Sequence, residues 1–412
     1  MPASSFVPLP RRVAVTGLGL VTPLGVGRDE TWRGLLAGRR AVRWLDEPLA
    51  PVAGLSVPSS PRLFGARVPL EIPSADRLVS FAKLAAREAA AHAGLSGELL
   101  REAACVIGTS KIDLQQLDVW LGGGEDREFR SPVTEILFPS HAASAVAAEL
   151  HCQGAVLCPV AACATGLLSI IRAAHLIQSG DCAIALAGGA DSSLHAGVLA
   201  SYRRLGVLAH PGDSPGECCR PFDRHRTGFA VGEGAGILVL EDWEHAVRRG
   251  ARILAEWGDG LIASESMDLV RTDGQGRVLH HTIRRLLERQ GISAADLSGV
   301  SVHGTGTLLN DRAEGAALEC LAGRGGRPLD VFGIKGAIGH LMGAAGAVET
   351  AVCILALIHQ QLPPTVNHQC KGADLAALPL RFHRTEPQEC RFLLKLSLGF
   401  GGVLAVALLK AC

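Results

Sequence analysis

The sequence has few aromatic residues and no excess of charge of either sign. Phe, Trp and Tyr together make up 4% of the 412 residues, and 40 basic residues balance 40 acidic ones. Without net charge there is no global field to attract nucleic acid or an anionic membrane, and few aromatic rings are present to stack on bases. We therefore expect no nucleic-acid partner.

Paired cysteine motifs and long apolar runs are also missing. The twelve cysteines are scattered and none forms a Cys-x-x-Cys pair, so neither a zinc cage nor a disulfide framework is predicted. The longest apolar runs, such as residues 347–358, contain a glutamate and are too short to span a bilayer. The N-terminal residues lack the continuous apolar stretch of a signal peptide. We predict a cytoplasmic protein with no membrane association.

What the sequence does contain is an internal repeat. Residues 76–110 and 277–307 both predict a helix, a turn, a short helical piece and a strand that ends in Gly-Thr. Residues 155–177 and 330–358 both predict an apolar strand, a small-residue turn and a helix. Repeats about 200 residues apart indicate a duplicated α/β unit rather than a solenoid.

The boundary between the repeats is predicted near residue 250. The sequence then divides into an N-terminal half, residues 1–250, and a C-terminal half, residues 251–412. No Pro- or Ser-rich linker separates them, so we expect one compact body with a site between the halves. Residues 210–236 are rich in glycine and proline and predict a long ordered loop.

Cys163 and His340 lie on the matching turns of the two halves. Cys163 stands between small residues just before a predicted helix, where free N–H groups and the helix dipole favour a thiolate. His303 follows a predicted strand. The ordinary structural interpretations are a packed thiol for Cys163 and a polar strand end for His303. Their arrangement favours a shared cleft that holds a nucleophile and a base.

Two other kinds of site are less well supported. One Cys and two His match a catalytic zinc in number, but the histidines are on separate turns, no carboxylate lies at helical spacing, and Lys335 is an unfavourable neighbour for a cation. We predict no metal. Residues 17–25 follow a strand but lack the Gly-x-Gly-x-x-Gly spacing and contain Pro23, so a structural turn is predicted instead of a dinucleotide site.

The motifs taken together resemble the β-ketoacyl-acyl-carrier-protein synthases, the condensing enzymes of fatty acid and polyketide synthesis, in their ketosynthase II-like form. They occur in order along nearly the whole chain: RRVAVTGLGLVTPLG at 11–25, ACATG at 162–166, FDRHRTGFAVGEGAG at 222–236, HGTGTLLNDRAE at 303–314, KGAIGHLMGAAGAVE at 335–349 and GFGG at 399–402. The resemblance implies a thiolase-like fold, a duplicated five-layered α-β-α-β-α arrangement.

The resemblance also implies a reaction. Cys163 would accept an acyl group from a carrier protein, and malonyl carrier protein would then lose carbon dioxide and attack the acyl thioester. His303 and His340 would donate hydrogen bonds to the enolate, and the backbone N–H groups of Cys163 and Phe400 would form an oxyanion hole. Lys335 would hold the site together through a buried ionic network with Glu314.

Further roles follow from the same resemblance. Thr305 and Thr307 would contact the pantetheine arm, Phe400 and Leu398 would gate entry of the acyl chain, and Asp311 would support the site with Glu314. Asp223, Arg226 and Glu233 are interpreted as structural supports. At several positions the chain departs from the family's usual residues. Leu396, Leu398, Val403 and Leu404 lie around the gate, Gly108 is expected to deepen the acyl pocket, and residues 108–124 lack the glycine-rich, apolar pattern expected near that pocket.

The expected partner is an acyl carrier protein, whose acidic helix would meet basic surface residues. No cofactor is expected, because the 4'-phosphopantetheine arrives on the carrier protein as part of the substrate. A homodimer is predicted, with a heterodimer with a related subunit as the alternative. A chain-length-factor-like partner would lack the cysteine, and a non-condensing acyltransferase of the same fold would not need both histidines and Lys335.

Overall fold

The structure, a computed structural model, describes residues 10–45, 62–73, 77–122, 137–265, 268, 272–323, 328–376, 378–382 and 387–412. Its strands are β1 (Val13–Thr22), β2 (Gly25–Val26), β3 (Arg43–Trp44), β4 (Phe64–Gly65), β5 (Ala104–Gly108), β6 (Val156–Leu157), β7 (Ile184–Ser192), β8 (Glu233–Asp242), β9 (Ala255–Ser264), β10 (Gly299–Ser301), β11 (Leu329–Phe332), β12 (Leu380–Phe382), β13 (Phe392–Leu398) and β14 (Val403–Lys410). Its α-helices are α1 (Arg28–Leu36), α2 (Arg77–His92), α3 (Gly97–Arg101), α4 (Leu114–Gly122), α5 (His141–Leu150), α6 (Thr165–Ser179), α7 (Ala196–Arg204), α8 (Trp243–Arg248), α9 (Arg277–Gln290), α10 (Leu308–Ala322), α11 (Lys335–Ile338) and α12 (Ala345–His359). Short 3₁₀ turns are formed by Ala162–Ala164, Pro215–Glu217, Ala294–Asp296, Met342–Ala344 and Ala373–Leu375.

The two halves have the same strand order. In the first half the order is β1-β8-β7-β5-β6, and in the second it is β9-β14-β13-β10-β11, with β12 added at the edge. The pairing directions also match, since β5 and β10 each lie parallel to both neighbours and the other pairs within these two five-strand sets are antiparallel. The added strand β12 pairs in parallel with β11. The predicted duplication is therefore confirmed.

The halves share a middle layer of helices. α6 contacts strands β5, β7 and β8 of the first half and β9 and β14 of the second, and α12 likewise contacts strands of both halves. α2 and α5 cover the outer face of the first half, and α9 and α10 cover that of the second. Helices and strands thus alternate in five layers, as predicted.

α12 is apolar all round because it packs on every side. The stretch Met342–His359 is, by length and composition, the one helical stretch of the described chain that could cross a membrane, and 89% of it is buried inside the protein. A helix that is hydrophobic on all faces is typical of such a buried layer. The run at residues 347–358 is therefore explained by core packing.

The predicted local elements are present, with two errors of extent. The turn predicted over residues 17–25 is limited to Pro23 and Leu24, because β1 continues to Thr22 and β2 begins at Gly25. The repeated segments form α2, α3 and β5 in the first half and α9, a 3₁₀ turn and β10 in the second. The loop predicted over residues 210–236 ends at residue 232, because Glu233–Gly236 begin strand β8, where they pair with β1 and β7. The division of the chain into domains at residue 250 stays a prediction.

Candidate active site

Cys163 lies where the middle-layer helix α6 begins. It belongs to the 3₁₀ turn Ala162–Ala164, and Ala162 adopts a left-handed conformation with φ 47°. Met342 begins the matching 3₁₀ turn before α12 with φ 46°. A non-glycine residue in this region costs energy and is often found at functional sites. The turns are equivalent as predicted, but the backbone counterpart of Cys163 is Gly343, and His340 stands three residues before it.

The structure brings Cys163, His303 and His340 together. One potential ligand or donor atom from each side chain lies within 4.8 Å of the others, and all three residues are buried. The two imidazole rings meet edge to face, with centroids 5.2 Å apart and an interplanar angle of 82°. The predicted convergence of the two halves on one cleft is therefore observed.

Hydrogen bonds define how each imidazole is protonated. The Nδ1 atom of His340 accepts a hydrogen bond from the backbone N–H of Met342 at 3.3 Å, so the ring proton belongs on Nε2. That Nε2 atom is buried and has no partner among the described residues. The ammonium of Lys335 lies 3.4 Å from Nδ1 of His303, which leaves Nε2 as the donor there too. A buried donor without a partner is unusual, and here it leaves an N–H free for a substrate oxygen.

Lys335 is held by Glu349 and not by Glu314, so the predicted ion pair is wrong. The Lys335 ammonium lies 2.5 Å from the carboxylate of Glu349, which projects from α12, and it also donates to the backbone carbonyl of His303. Glu314 instead accepts the backbone N–H groups of His303 and Gly304, at 2.6 and 2.7 Å. The Glu314 carboxylate is occupied by the backbone of the His303 loop and is not available to the lysine.

Asp311 supports the same loop from the other side. Its carboxylate accepts the backbone N–H groups of Phe222 at 2.7 Å and Gly306 at 3.1 Å, and Arg226 lies 3.6 Å away. Asp223, by contrast, accepts two backbone N–H groups of the 369–370 segment. These contacts place the side chains as structural supports of the loops around His303.

Burial dominates the electrostatics of the three central groups. It raises the pKa of the Cys163 thiol to about 11, although the charges of Lys335 and Lys111 and a hydrogen bond from the backbone N–H of Phe400 act in the opposite direction. Desolvation therefore outweighs the stabilisation of a thiolate that was expected from the helix start, and the thiol form of Cys163 is favoured. Burial, followed by the charge of Lys335, also holds the pKa values of His303 and His340 well below the ordinary value.

The donor set fits hydrogen bonding to a substrate better than it fits a metal. Cys163, His303 and His340 have the spacing of metal ligands. However, a cation would meet the ammonium of Lys335 next to His303, and the thiol is held protonated by burial. The absence of a metal stays a prediction.

A cavity of about 590 Å³ leads from the surface to these three side chains. Thr305 and Thr307 line it, with their hydroxyl oxygens 2.9 Å apart, and Leu398 and Phe400 form part of its wall. The ring of Phe400 contacts that of Tyr202, with centroids 6.4 Å apart. The volume is typical of a small-molecule site.

Glycines next to Phe400 let the backbone approach Cys163. A Cβ atom on Gly399 would lie 2.6 Å from the carbonyl oxygen of Ala161 and 3.3 Å from the backbone nitrogen of Cys163. Gly401 and Gly402 have φ of 85° and 76°, which other residues rarely adopt. This explains why the loop after β13 needs the sequence Gly-Phe-Gly-Gly.

Gly108 does not deepen the cavity, so that prediction is wrong. A Cβ atom at this position would meet Cγ2 of Thr165 at 2.3 Å, the carbonyl oxygen of Pro159 at 2.6 Å and Oγ of Ser169 at 2.7 Å. The space beside Gly108 is filled by the start of α6. The segment 108–124 also extends beyond the described residues at positions 123 and 124.

The other departures near the gate are core residues. Leu396, Leu398 and Leu404 are buried within the apolar cluster between the second-half strands and α9 and α10. Leu398 and Leu404 belong to this cluster and also line the cavity, whereas Leu396 belongs to the cluster alone. These three leucines therefore extend the apolar core up to the gate at Phe400.

Sequence reasoning missed Glu349 and Lys395. Both are buried, and Lys395 lies 2.7 Å from the carboxylate oxygen of Glu349 that Lys335 does not contact. A single lysine inside the apolar strand 392–398 and a single glutamate inside the apolar run 347–358 were the available signals. Buried charges are expected only where they are paired.

A buried thiol at a helix start, opposite two imidazole N–H groups in a five-layered duplicated fold, defines an enzyme that transfers acyl groups through a cysteine. Comparison with known proteins identifies the family. Residues 10–246 match the family described as beta-ketoacyl synthase, N-terminal domain, and residues 260–369 match beta-ketoacyl synthase, C-terminal domain. The chain belongs to the β-ketoacyl synthase family, and it is a condensing acyltransferase.

Relatives and solved structures agree with this assignment. The chain is 33% identical to the 3-oxoacyl-[acyl-carrier-protein] synthase 2 of Mycobacterium bovis, in an alignment of 408 residues that covers 95% of each chain. It superposes with a TM-score of 0.88 and 28% identity on a chain from a structure of a type II polyketide synthase acyl-carrier protein in complex with its ketosynthase bound to the hexaketide, covering 98% of this chain and all of that one. The ishigamide ketosynthase/chain length factor gives a TM-score of 0.83 and 30% identity, with the same coverage.

Proposed function

We propose that the protein is a 3-oxoacyl-[acyl-carrier-protein] synthase that elongates an acyl chain bound to Cys163 by decarboxylative condensation with malonyl carrier protein. The observation that carries this proposal is the meeting of Cys163, His303 and His340 within 4.8 Å at the inner end of the cavity. The pathway is fatty acid or polyketide chain elongation, as in the relatives.

In the first step the thiol of Cys163 attacks the thioester carbon of the acyl carrier protein. The Sγ–C bond forms, the bond to the pantetheine sulfur breaks, and the thiol proton ends on the departing pantetheine thiol. The backbone N–H groups of Cys163 and Phe400 are the proposed donors to the transient oxyanion. Support comes from the backbone N–H of Phe400, which already points to the thiol.

In the second step malonyl carrier protein enters and loses carbon dioxide. The electron pair of the broken C–C bond gives an enolate, whose oxygen would accept hydrogen bonds from Nε2–H of His303 and His340. The α-carbon then attacks the acyl carbonyl, the bond to Cys163 Sγ breaks, and the departing thiolate takes up a proton from water to restore the thiol. Neutral imidazoles suit this role, and the lowered pKa values of both rings keep them neutral at physiological pH.

Exposed leucines line the cavity, and exposed arginines lie close to them in sequence. Leu205, Leu308 and Leu309 line the cavity and are exposed, Leu308 by 63%. The exposed arginines Arg203, Arg204 and Arg312 are their neighbours in sequence. We assign this rim, defined by the three leucines and three arginines, as the docking surface for an acidic acyl carrier protein. The 4'-phosphopantetheine of that partner is the proposed occupant of the cavity, and no cofactor of the enzyme itself is invoked.

The edge of the described sheet at strand β6 is the proposed subunit interface. Strand β6 ends the sheet, and exposed apolar side chains lie on or near it, including Phe138 at 59%, Val160 at 54%, and Val156 and Leu157. An exposed apolar edge strand is a template for pairing with a second chain. We propose a homodimer through this edge, with a related ketosynthase-like subunit as the alternative partner, in the cytoplasm.

Intact-mass analysis with acyl and malonyl carrier proteins tests the proposed reaction. We expect an acyl adduct on the wild-type enzyme and on Cys320→Ala, an exposed-cysteine control, but none on Cys163→Ala. Addition of malonyl carrier protein should release a 3-oxoacyl product two carbons longer. An adduct that is never elongated would contradict condensation and favour a non-condensing acyltransferase.

A further inference from the structure

Behind His303 lies a chain of three buried charges. Glu349 projects from α12 and offers one carboxylate oxygen to Lys335 at 2.5 Å and the other to Lys395 at 2.7 Å. Lys395 is fully buried within β13, and its ammonium also donates to the backbone carbonyl of Leu396. The carboxylate is therefore shared between two cations.

This sharing leaves the cluster with an unbalanced charge. Two ammonium groups and one carboxylate sum to a single positive charge, in a region that water does not reach. A buried lysine without a full counter-charge is costly, and it persists where the surroundings make use of it. The ammonium of Lys335 also contacts two atoms of His303, the backbone carbonyl oxygen and Nδ1.

We propose that Lys395 is a positioning residue of the active site: by occupying the second oxygen of Glu349 it directs Lys335 to His303 and leaves a net positive charge behind the two imidazoles. The negative charge of the enolate develops on the opposite side of those imidazoles, so the surplus charge stabilises it through them. This inference rests on the proposed function for its chemical purpose. The arrangement of charges that it describes does not depend on that function.

The charge of Lys395 acts on titratable groups from several surrounding elements. They are Glu349 and Cys353 on α12, Lys335 on α11, Glu314 on α10, and the imidazoles of His303 and His340. The positive charge of Lys395 lowers the pKa of both imidazoles, after burial, Lys335 and one further charge, which is His340 for His303 and Lys111 for His340. Removing that charge therefore raises their pKa values.

Lys395→Met tests the proposal, because methionine keeps the length and apolar stem and removes the charge. The first measurement is an NMR titration of the imidazole signals in histidine-labelled protein, assigned with His303→Ala and His340→Ala. We expect both pKa values to rise in Lys395→Met. Lys410→Met, which removes a partly exposed lysine from the outer end of the neighbouring strand, should leave them unchanged. Because the titration needs no activity, it tests Lys395 even if the proposed condensation fails.

The second measurement is the rate of malonyl-carrier-protein decarboxylation. Lys395→Met should reduce kcat about tenfold with little change in KM, because the lost charge acts on the transition state. The double variant Lys395→Met/Glu349→Gln restores the single positive charge on Lys335. It should return the imidazole pKa values and kcat most of the way to those of the wild type. Unshifted imidazole titrations in Lys395→Met, or equal defects in the single and double variants with unchanged thermal stability, would overturn the proposal. A wild-type enzyme that does not decarboxylate malonyl carrier protein would instead count against the proposed function.

Discussion

The two active-site imidazoles are oriented by different groups. His340 is fixed by a backbone N–H two residues ahead and by the ring of Phe229, whose centroid lies 5.1 Å away. His303 is fixed by Lys335 and, through its backbone, by Glu314. Loss of Glu314 should therefore disturb His303 and leave His340 in place.

His340→Ala separates the two half-reactions. The variant loses an Nε2–H donor to the enolate, so malonyl decarboxylation should fall by about 10²- to 10³-fold. Acyl transfer to Cys163 uses the backbone donors and should be affected far less. Release of carbon dioxide and the acyl adduct mass, measured on the same preparation, check the two effects. Equal losses in both steps would show that His340 has a different role.

The raised pKa of Cys163 predicts how the free thiol reacts. Only the thiolate is nucleophilic, and a pKa of about 11 leaves little of it at neutral pH. The rate of Cys163 alkylation by iodoacetamide should therefore climb steadily up to pH 10 without a plateau. Peptide mass spectrometry follows Cys163, with the exposed Cys320 as an internal control for the reagent. A plateau near pH 7 would mean that the helix start lowers the pKa of the Cys163 thiol more than burial raises it.

At the scale of elements, the sequence predicted more of the fold than of the contacts. Periodicity and turn residues predicted α2, α9 and the middle-layer helices, because each has a strong local signal. The pairing of Lys335 with Glu349 was not predictable, since 14 residues separate them and their meeting depends on how α11 approaches α12. The effect of Gly108 was likewise decided by a neighbour from another element, Thr165 on α6.

The packing between β5 and α6 makes a testable prediction at Gly108. Gly108→Ala places a Cβ atom 2.3–2.7 Å from Thr165, Ser169 and the backbone oxygen of Pro159. Overpacking of this kind costs about 1–3 kcal/mol of unfolding free energy. Gly274→Ala, where a Cβ atom meets nothing within 4 Å, is the control. Chemical denaturation measures both. A stable Gly108→Ala enzyme that makes shorter products would instead support a pocket at this position.

At the scale of the whole molecule, one face carries the cavity mouth and its rim of leucines and arginines. Charge reversal by Arg204→Glu and Arg312→Glu should raise KM for acyl carrier protein about tenfold or more and leave kcat nearly unchanged, because docking and not chemistry is weakened. Arg248→Glu on α8, an exposed arginine that is distant in sequence from the leucines lining the cavity, is the matched control. The effect should shrink at high ionic strength. Equal KM values for all three variants would contradict the assignment of this surface.

The β6 edge of the sheet is the proposed site of association with a second chain. A long mixed sheet that ended in an exposed apolar edge would be prone to aggregation, and pairing with a second copy removes that edge. Light scattering should give twice the mass of one chain for the wild type. Val160→Asp introduces a charge at the edge and should shift the protein toward monomer, whereas Val247→Asp, at an equally exposed valine on α8, should not. A wild type that is a stable monomer would contradict the homodimer. A wild type that dimerises only when a related ketosynthase-like chain is added would favour the heterodimer, in which β6 pairs with the corresponding strand of the other subunit.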